Sequence, residues 1–142
     1  MSTLKVDTLT GVSTQGSIVV TGEGNTTTTS LQQGLAKAWI SFNGGVTTPV
    51  AIDSFGTSTL IDNTTGDYSQ TLTNAMGNAN YCVVVMSYDD GSGSADGKNA
   101  LVVAGGTADP SASAYNLYAH DNINSAEVDI SINSCSINGD LA

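Results

Sequence analysis

The stretch Leu31 to Phe42, LQQGLAKAWISF, constrains the chain more than any other, because the apolar period changes inside it. Leu31 and Leu35 stand four residues apart, as on one face of a helical turn, and Ser30 is placed to cap that turn. From Ala36 the period becomes two. Ala36, Ala38, Ile40 and Phe42 point one way, and Lys37, Trp39 and Ser41 the other. A short helical junction therefore feeds a first strand, and nothing after it returns to a helical period. No window offers an apolar stripe longer than about two helical turns. Sixteen glycines, with abundant Thr, Ser, Asn and Asp, suit turns and strands.

Read strand by strand, the chain after the junction gives Ala36–Phe42, Val50–Ser54 behind Pro49, Thr57–Ile61, and Tyr68–Thr73 behind a tight connection at Asp62–Tyr68. In that connection Gly66 is free to take positive φ. Met76 is an apolar plug in the loop that follows. Tyr81–Tyr88 (YCVVVMSY) is apolar on both faces through Met86, which predicts a central strand. Ala100–Ala104 and Ala114–Ala119 come next. Last, Ala126, Val128, Ile130 and Ile132 alternate with Glu127, Asp129, Ser131 and Asn133. About eight short strands with regular turn signals predict an all-β fold, an antiparallel β-sandwich or jelly roll. The sole tryptophan, Trp39, is expected to be buried in it.

The first thirty residues read differently. Leu4, Val6 and Leu9 mark one extended segment and Ile18, Val19 and Val20 another, and GEGNTTTTS (Gly22–Ser30) has linker chemistry. An isolated two-stranded ribbon is marginal in water. Residues 1–30 are therefore expected to be an extended N-terminal arm for attachment and oligomerisation, and 31–142 the β domain. The apolar anchors Leu4, Val6, Leu9, Ile18, Val20, Leu31 and Leu35 would be covered by a partner. Symmetric self-association is expected to cover Leu31 and Leu35.

Charge excludes several classes of partner. Thirteen acidic residues face three lysines (Lys5, Lys37, Lys98) and no arginine, for a net charge of −10 over 142 residues. Such a surface repels nucleic acid phosphates and anionic membranes, so neither is an expected partner. The hydrophobic residues, 39% of the chain, come as short runs and never as a membrane span. The opening MSTLKVDTL has one early lysine and no apolar core of a leader, so synthesis in a cytoplasm is expected. Cys82 and Cys135 are expected to be buried free thiols.

Chemistry is sparse. His120 is followed by Asp121, but Gly91-Ser92-Gly93-Ser94 lacks the spacing of a nucleophile elbow, so no catalytic residue is expected. His, Cys and Glu are too few for a zinc site. Asp89, Asp90 and Asp96 cluster in one loop, and Asp62, Asn63 and Asp67 in another. Neither has EF-hand spacing, and both are read as turns with no metal or other cofactor. Tyr88, Tyr115 and Tyr118 are aromatic candidates for sugar stacking. Tyr88 and Tyr118 are the proposed glycan contacts, and part of the set is expected in the core.

MSTLKVDTL, LQQGLAKAWISFNG and DSFGTSTLIDNTTGDYSQTLTNAMGNANY together resemble a family of small virion proteins of marine tailed bacteriophages, seen as tail-fibre-like or capsid-surface proteins. The resemblance spans approximately residues 1 to 88 and rests on turns and strand faces, so no active site carries over. It implies a non-enzymatic virion protein, a short fibre or decoration subunit with its N-terminal part as the attachment segment. The implied partners are two sister chains in a homotrimer and other virion proteins of capsid or tail. The rival readings are a lectin-like adhesin for a host surface glycan and a polysaccharide hydrolase. The hydrolase would need paired carboxylates, and Glu23 and Glu127 are the only glutamates.

Overall fold

A computed structural model describes residues 3–11, 18–24, 26–88, 99–103 (backbone alone), 110–121 and 126–141. The chain divides into two compact units, Met1–Leu35 and Ala36–Ala142.

In the first unit, strand β1 (Val19–Thr21) pairs antiparallel with β2 (Thr28–Ser30). The Gly22 N–H donates to the Thr27 carbonyl at 2.8 Å and closes the ribbon. Part of the stretch read as linker is thus a strand. Consecutive threonines suit an extended ladder once Val19–Thr21 offers one. Helix α1 (Leu31–Gly34) follows directly, with the Ser30 hydroxyl accepting from the Gln33 N–H at 3.4 Å. The Leu31 N–H donates to the Ile18 carbonyl at 2.9 Å, tying the helical turn to the ribbon. Residues 3–11 carry no regular element.

The second unit is all-β, built from antiparallel sheets. Its strands among the described residues are β3 (Ala36–Asn43), β4 (Val50–Phe55), β5 (Thr57–Thr64), β6 (Asp67–Leu72), β7 (Cys82–Tyr88), β8 (Asn99–Val103), β9 (Ala114–Asp121), β10 (Ala126–Glu127) and β11 (Ile132–Asn138). One sheet runs β4-β3-β11-β7. The other runs β10-β9-β6-β5, with β8 also on β9. The two sheets face each other across a single core. Ala38, Ile40 and Phe42 of β3 and Cys135 and Ile137 of β11 meet Tyr68 and Leu72 of β6 and Tyr115, Leu117 and Ala119 of β9. Each large side chain so buried contributes about 1.5–3 kcal/mol. Phe42 and Tyr68 cross the interface edge to face, with ring centroids 5.1 Å apart.

The alternation read for β3 holds: Ala38, Ile40 and Phe42 are buried and Trp39 is exposed. Trp39 is therefore on the outer face and not in the core. Tyr81–Tyr88 is also corrected, since β7 lies at the edge of its sheet. It is apolar on both faces for two separate reasons. Val83 and Val85 pack against the core, while Val84 and Met86 stand in solvent on the other side. The last strand of the sequence reading breaks in two. β10 stays on β9, the chain crosses at Val128–Ser131, and β11 enters the other sheet between β3 and β7. The crossing shifts the phase by one residue. Ile130 is buried in the crossing itself, and Asn133, Cys135 and Ile137, rather than Ile132, face inward.

Among the described residues two glycines adopt positive φ. Gly66 (φ +71°) makes the β5–β6 turn, as its position predicted. Gly56 (φ +69°) is the corner where the chain leaves β4 in one sheet and enters β5 in the other. A Cβ there would sit 2.6 Å from the Lys37 carbonyl oxygen, so only glycine fits.

Candidate interaction face

The outer faces of the two sheets have opposite chemistry. On the β9–β6–β5 sheet polar outward side chains bond to one another, beside the outward Ile61 and Tyr118. The Ser69 hydroxyl donates to Asn116 Oδ1 at 2.9 Å, and the Asn63 amide donates to Ser69 Oγ at 2.7 Å and to Asp67 Oδ1 at 3.1 Å. Thr71 takes hydroxyl contacts from Ser58 and Thr59. These are neighbouring strands satisfying each other's polar groups, as in a solvated sheet surface.

The outer face of the β4–β3–β11–β7 sheet is apolar. Register places Phe55, Trp39, Ser136 and Val84 in one row across the four strands, and Asp53, Ser41, Ser134 and Met86 in the next. Tyr88 extends the face at the end of β7, opposite Ile132. Met86 is 64% exposed, Tyr88 60%, Phe55 58%, Val84 57% and Trp39 37%. Because β11 presents only serines outward at its centre, its middle is low between taller neighbours. The result is a groove of about 270 Å³, floored by Ser134 and Ser136 and walled by Trp39, Val84 and Met86. The Ser134 hydroxyl donates to Ser41 Oγ at 3.2 Å, so the floor's polarity is partly spent within the sheet. What remains for a ligand is apolar contact.

Comparison with protein-family models, with curated proteins and with solved structures returned no match.

The residues singled out from sequence fall as follows. Within the first unit Leu4, Val6, Leu9, Val20 and Leu35 are exposed, and Ile18 and Leu31 are half-buried. Tyr88 stands on the apolar outer face, whereas Tyr118 is half-buried on the outer face of the opposite sheet, beside His120. The two tyrosines therefore do not form one platform. Tyr115 is a core residue. His120 points outward from β9, and Asp121, the next residue, is buried on the other side of the strand, so the two side chains diverge. Asp62 and Asn63 lie in β5 and Asp67 begins β6, across the Gly66 turn. Asp89, Asp90, Asp96 and Gly91–Ser94 lie outside the described residues. Among the described residues, no group of three or more His, Cys, Asp and Glu side chains converges on one point, and no helix is long and apolar enough to cross a membrane.

The cysteines are corrected in part. Cys135 is buried, with its Sγ 3.1 Å from the Tyr115 hydroxyl, but Cys82 is exposed. They belong to adjacent strands and point to opposite faces of one sheet, with Cys135 opposite Val85 and Cys82 opposite Asn138. That orientation forbids a disulfide between them.

Sequence reasoning did not find the apolar outer face. Its one signal was the doubly apolar run Tyr81–Met86, which was assigned to a central strand. Trp39 and Phe55 join Val84 and Met86 only through the strand order, which the one-dimensional pattern does not encode.

Proposed function

We propose that this chain is a non-enzymatic structural protein of a bacteriophage virion, displayed on the particle surface as a short fibre or decoration subunit. In this reading the second unit is a β-sandwich or jelly-roll display domain, and the first unit joins three chains into a homotrimer and attaches them to capsid or tail proteins. The observation that carries the reading is the set of apolar side chains left exposed in the first unit: Leu4, Val6, Leu9, Val20 and Leu35. A ribbon of three-residue strands and one helical turn buries too little to hold those residues in water by itself. Cover from sister chains or from another virion protein supplies what is missing. The resemblance of residues 1 to 88 to small phage virion proteins supports the same assignment.

Protein mass spectrometry of purified, nuclease-treated particles tests it. The chain should be found in multiple copies per particle and survive gradient purification. Recovery only from the soluble lysate, never with particles, would overturn the virion assignment.

A glycan-binding adhesin is the second reading, and the exposed Tyr88 ring favours it. Any sugar would stack on Tyr88 or on Tyr118 separately, as they lie on different sheets. A glycan panel with wild type and Tyr88→Ala decides it: equal binding, or none, removes Tyr88 as a contact.

A further inference from the structure

We infer that the apolar outer face of the β4–β3–β11–β7 sheet is the contact surface for a second copy of this chain, in an isologous pair related by a two-fold axis near Trp39. This is a surface distinct from the first unit, and it stands whether or not the protein is a virion component.

Three observations point to a second copy. The first is area. On the scale of ~150–250 Å² for large side chains, the exposed fractions of Trp39, Phe55, Val84, Met86 and Tyr88 leave on the order of 500 Å² of mostly apolar surface on this face. A standard interface takes roughly 800 Å² from each partner, of which a little over half is non-polar. The face matches that requirement with little to spare.

The second is charge. The protein carries −10 overall, so two copies repel each other on most approaches. Among the outward side chains of these four strands only Lys37 and Asp53 are charged, and they cancel. This face is therefore one on which like copies meet without net repulsion.

The third is the placement of those two charges. Lys37 lies two residues before Trp39 on β3, and Asp53 lies opposite Ser41, two residues after it. A two-fold axis lying in the interface, across the strands at the Trp39 level, exchanges these two levels. Lys37 of each copy then comes to the level of Asp53 in the other, twice over. Self-complementarity of this kind is what an isologous contact requires. The groove over Ser134 and Ser136 receives apolar side chains of the opposing copy, and the low serine floor allows the sheets to approach.

Sedimentation velocity on the full-length chain over a micromolar concentration series tests the inference. The wild-type mass should be an even multiple of 14.4 kDa. Val84→Asp with Met86→Asp, both on solvent-facing positions of an edge strand, should halve it while leaving far-UV circular dichroism and the melting transition in place. Halving is expected whether the wild type is a simple dimer or a pair of trimers, so this outcome separates from the trimer assignment. Val20→Asp in the first unit should leave the paired species intact. Lys37→Asp and Asp53→Lys should each weaken pairing about tenfold, and the two together should restore it. A wild type that stays at 14.4 kDa at the highest concentration overturns the inference. So does a mass unchanged by the double aspartate variant, which would mean that another surface carries the assembly. Loss of structure in that variant shifts the decision to the charge exchange, where failure of the reversed pair to restore association is equally fatal.

Discussion

The Tyr115 hydroxyl and the Cys135 sulfur meet 3.1 Å apart in the core, one from each sheet. Burial pushes the Tyr115 phenol well above its ordinary range, and the neighbouring Cys135 adds to the shift. Burial also pushes the Cys135 thiol up, with the Tyr115 hydrogen bond pulling the other way. Tyr68 is raised as well, chiefly by burial and then by the Asp129 carboxylate, which lies 3.0 Å from its hydroxyl.

These shifts predict alkaline loss of stability. The folded chain keeps these protons to higher pH than the unfolded chain, which releases them above about 8.5 for a thiol and about 10 for a phenol. Stability from these groups is fully present below that window and falls as pH rises through it, by about 1.4 kcal/mol per pH unit for each group still protonated in the fold. Urea midpoints across the alkaline range should decline from about pH 9, and more steeply above about pH 10. Tyr115→Phe should flatten the steep part. A midpoint that stays level to about pH 11 would show that these phenols are not buried.

Trp39 and Phe42 should separate cleanly. Phe42→Ala empties a fully buried site against Tyr68 and is expected to cost about 3–5 kcal/mol. Trp39→Ala removes a side chain from an outer face and should cost roughly 1 kcal/mol in the dissociated chain, well below a core deletion. Equal losses in chemical denaturation would place Trp39 in the core after all.

Gly56→Ala should destabilise by about 1–3 kcal/mol or more, because it combines positive φ with a carbonyl in the space a Cβ would take. Gly34→Ala, with open space around it, is the matched control and should be neutral or mildly stabilising. A Gly56 variant melting with the wild type would mean the corner has another geometry.

Deleting residues 1–30 should leave a β-rich domain that melts cooperatively, because the second unit contains the whole buried core. On the proposed virion assignment, the truncated chain should no longer join particles. Wild-type occupancy by the truncated chain would place attachment in the second unit.

How much of this was legible depended on where a one-dimensional pattern equals a three-dimensional one. For β3, β6 and β9 it does: a period of two runs unbroken, and Phe42, Tyr68, Leu72, Tyr115 and Leu117 all landed in the core. At Val128–Ser131 it does not. The residues alternate smoothly through Ile132, yet the chain is changing sheets, with the Ile130 carbonyl accepting from the Gly44 N–H and from the Asn133 amide. The second of these bonds satisfies the Asn133 amide nitrogen in an inward position that its polarity argued against, while its Oδ1 is buried without a hydrogen bond. The rest of β11, residues 134–138, escaped the sequence reading because its outward serines and inward Cys135 and Ile137 give little hydropathy contrast. The candidate face was harder still. It is assembled from four strands whose order, β4-β3-β11-β7, joins the two ends of the unit.

Gly56 also bears on how the domain comes apart. At this end of β3 the chain passes from one layer to the other through Gly56 alone, whose carbonyl accepts from the Thr73 N–H at 2.9 Å, and returns through residues 73–81 between β6 and β7. At the other end, beside Gly44, the layers are joined by the longer crossing Val128–Ser131. Gly56 is thus the tightest of these passages between the layers. The amides of Ala38 and Thr73, which flank this corner, should therefore be among the late ones to exchange with deuterium.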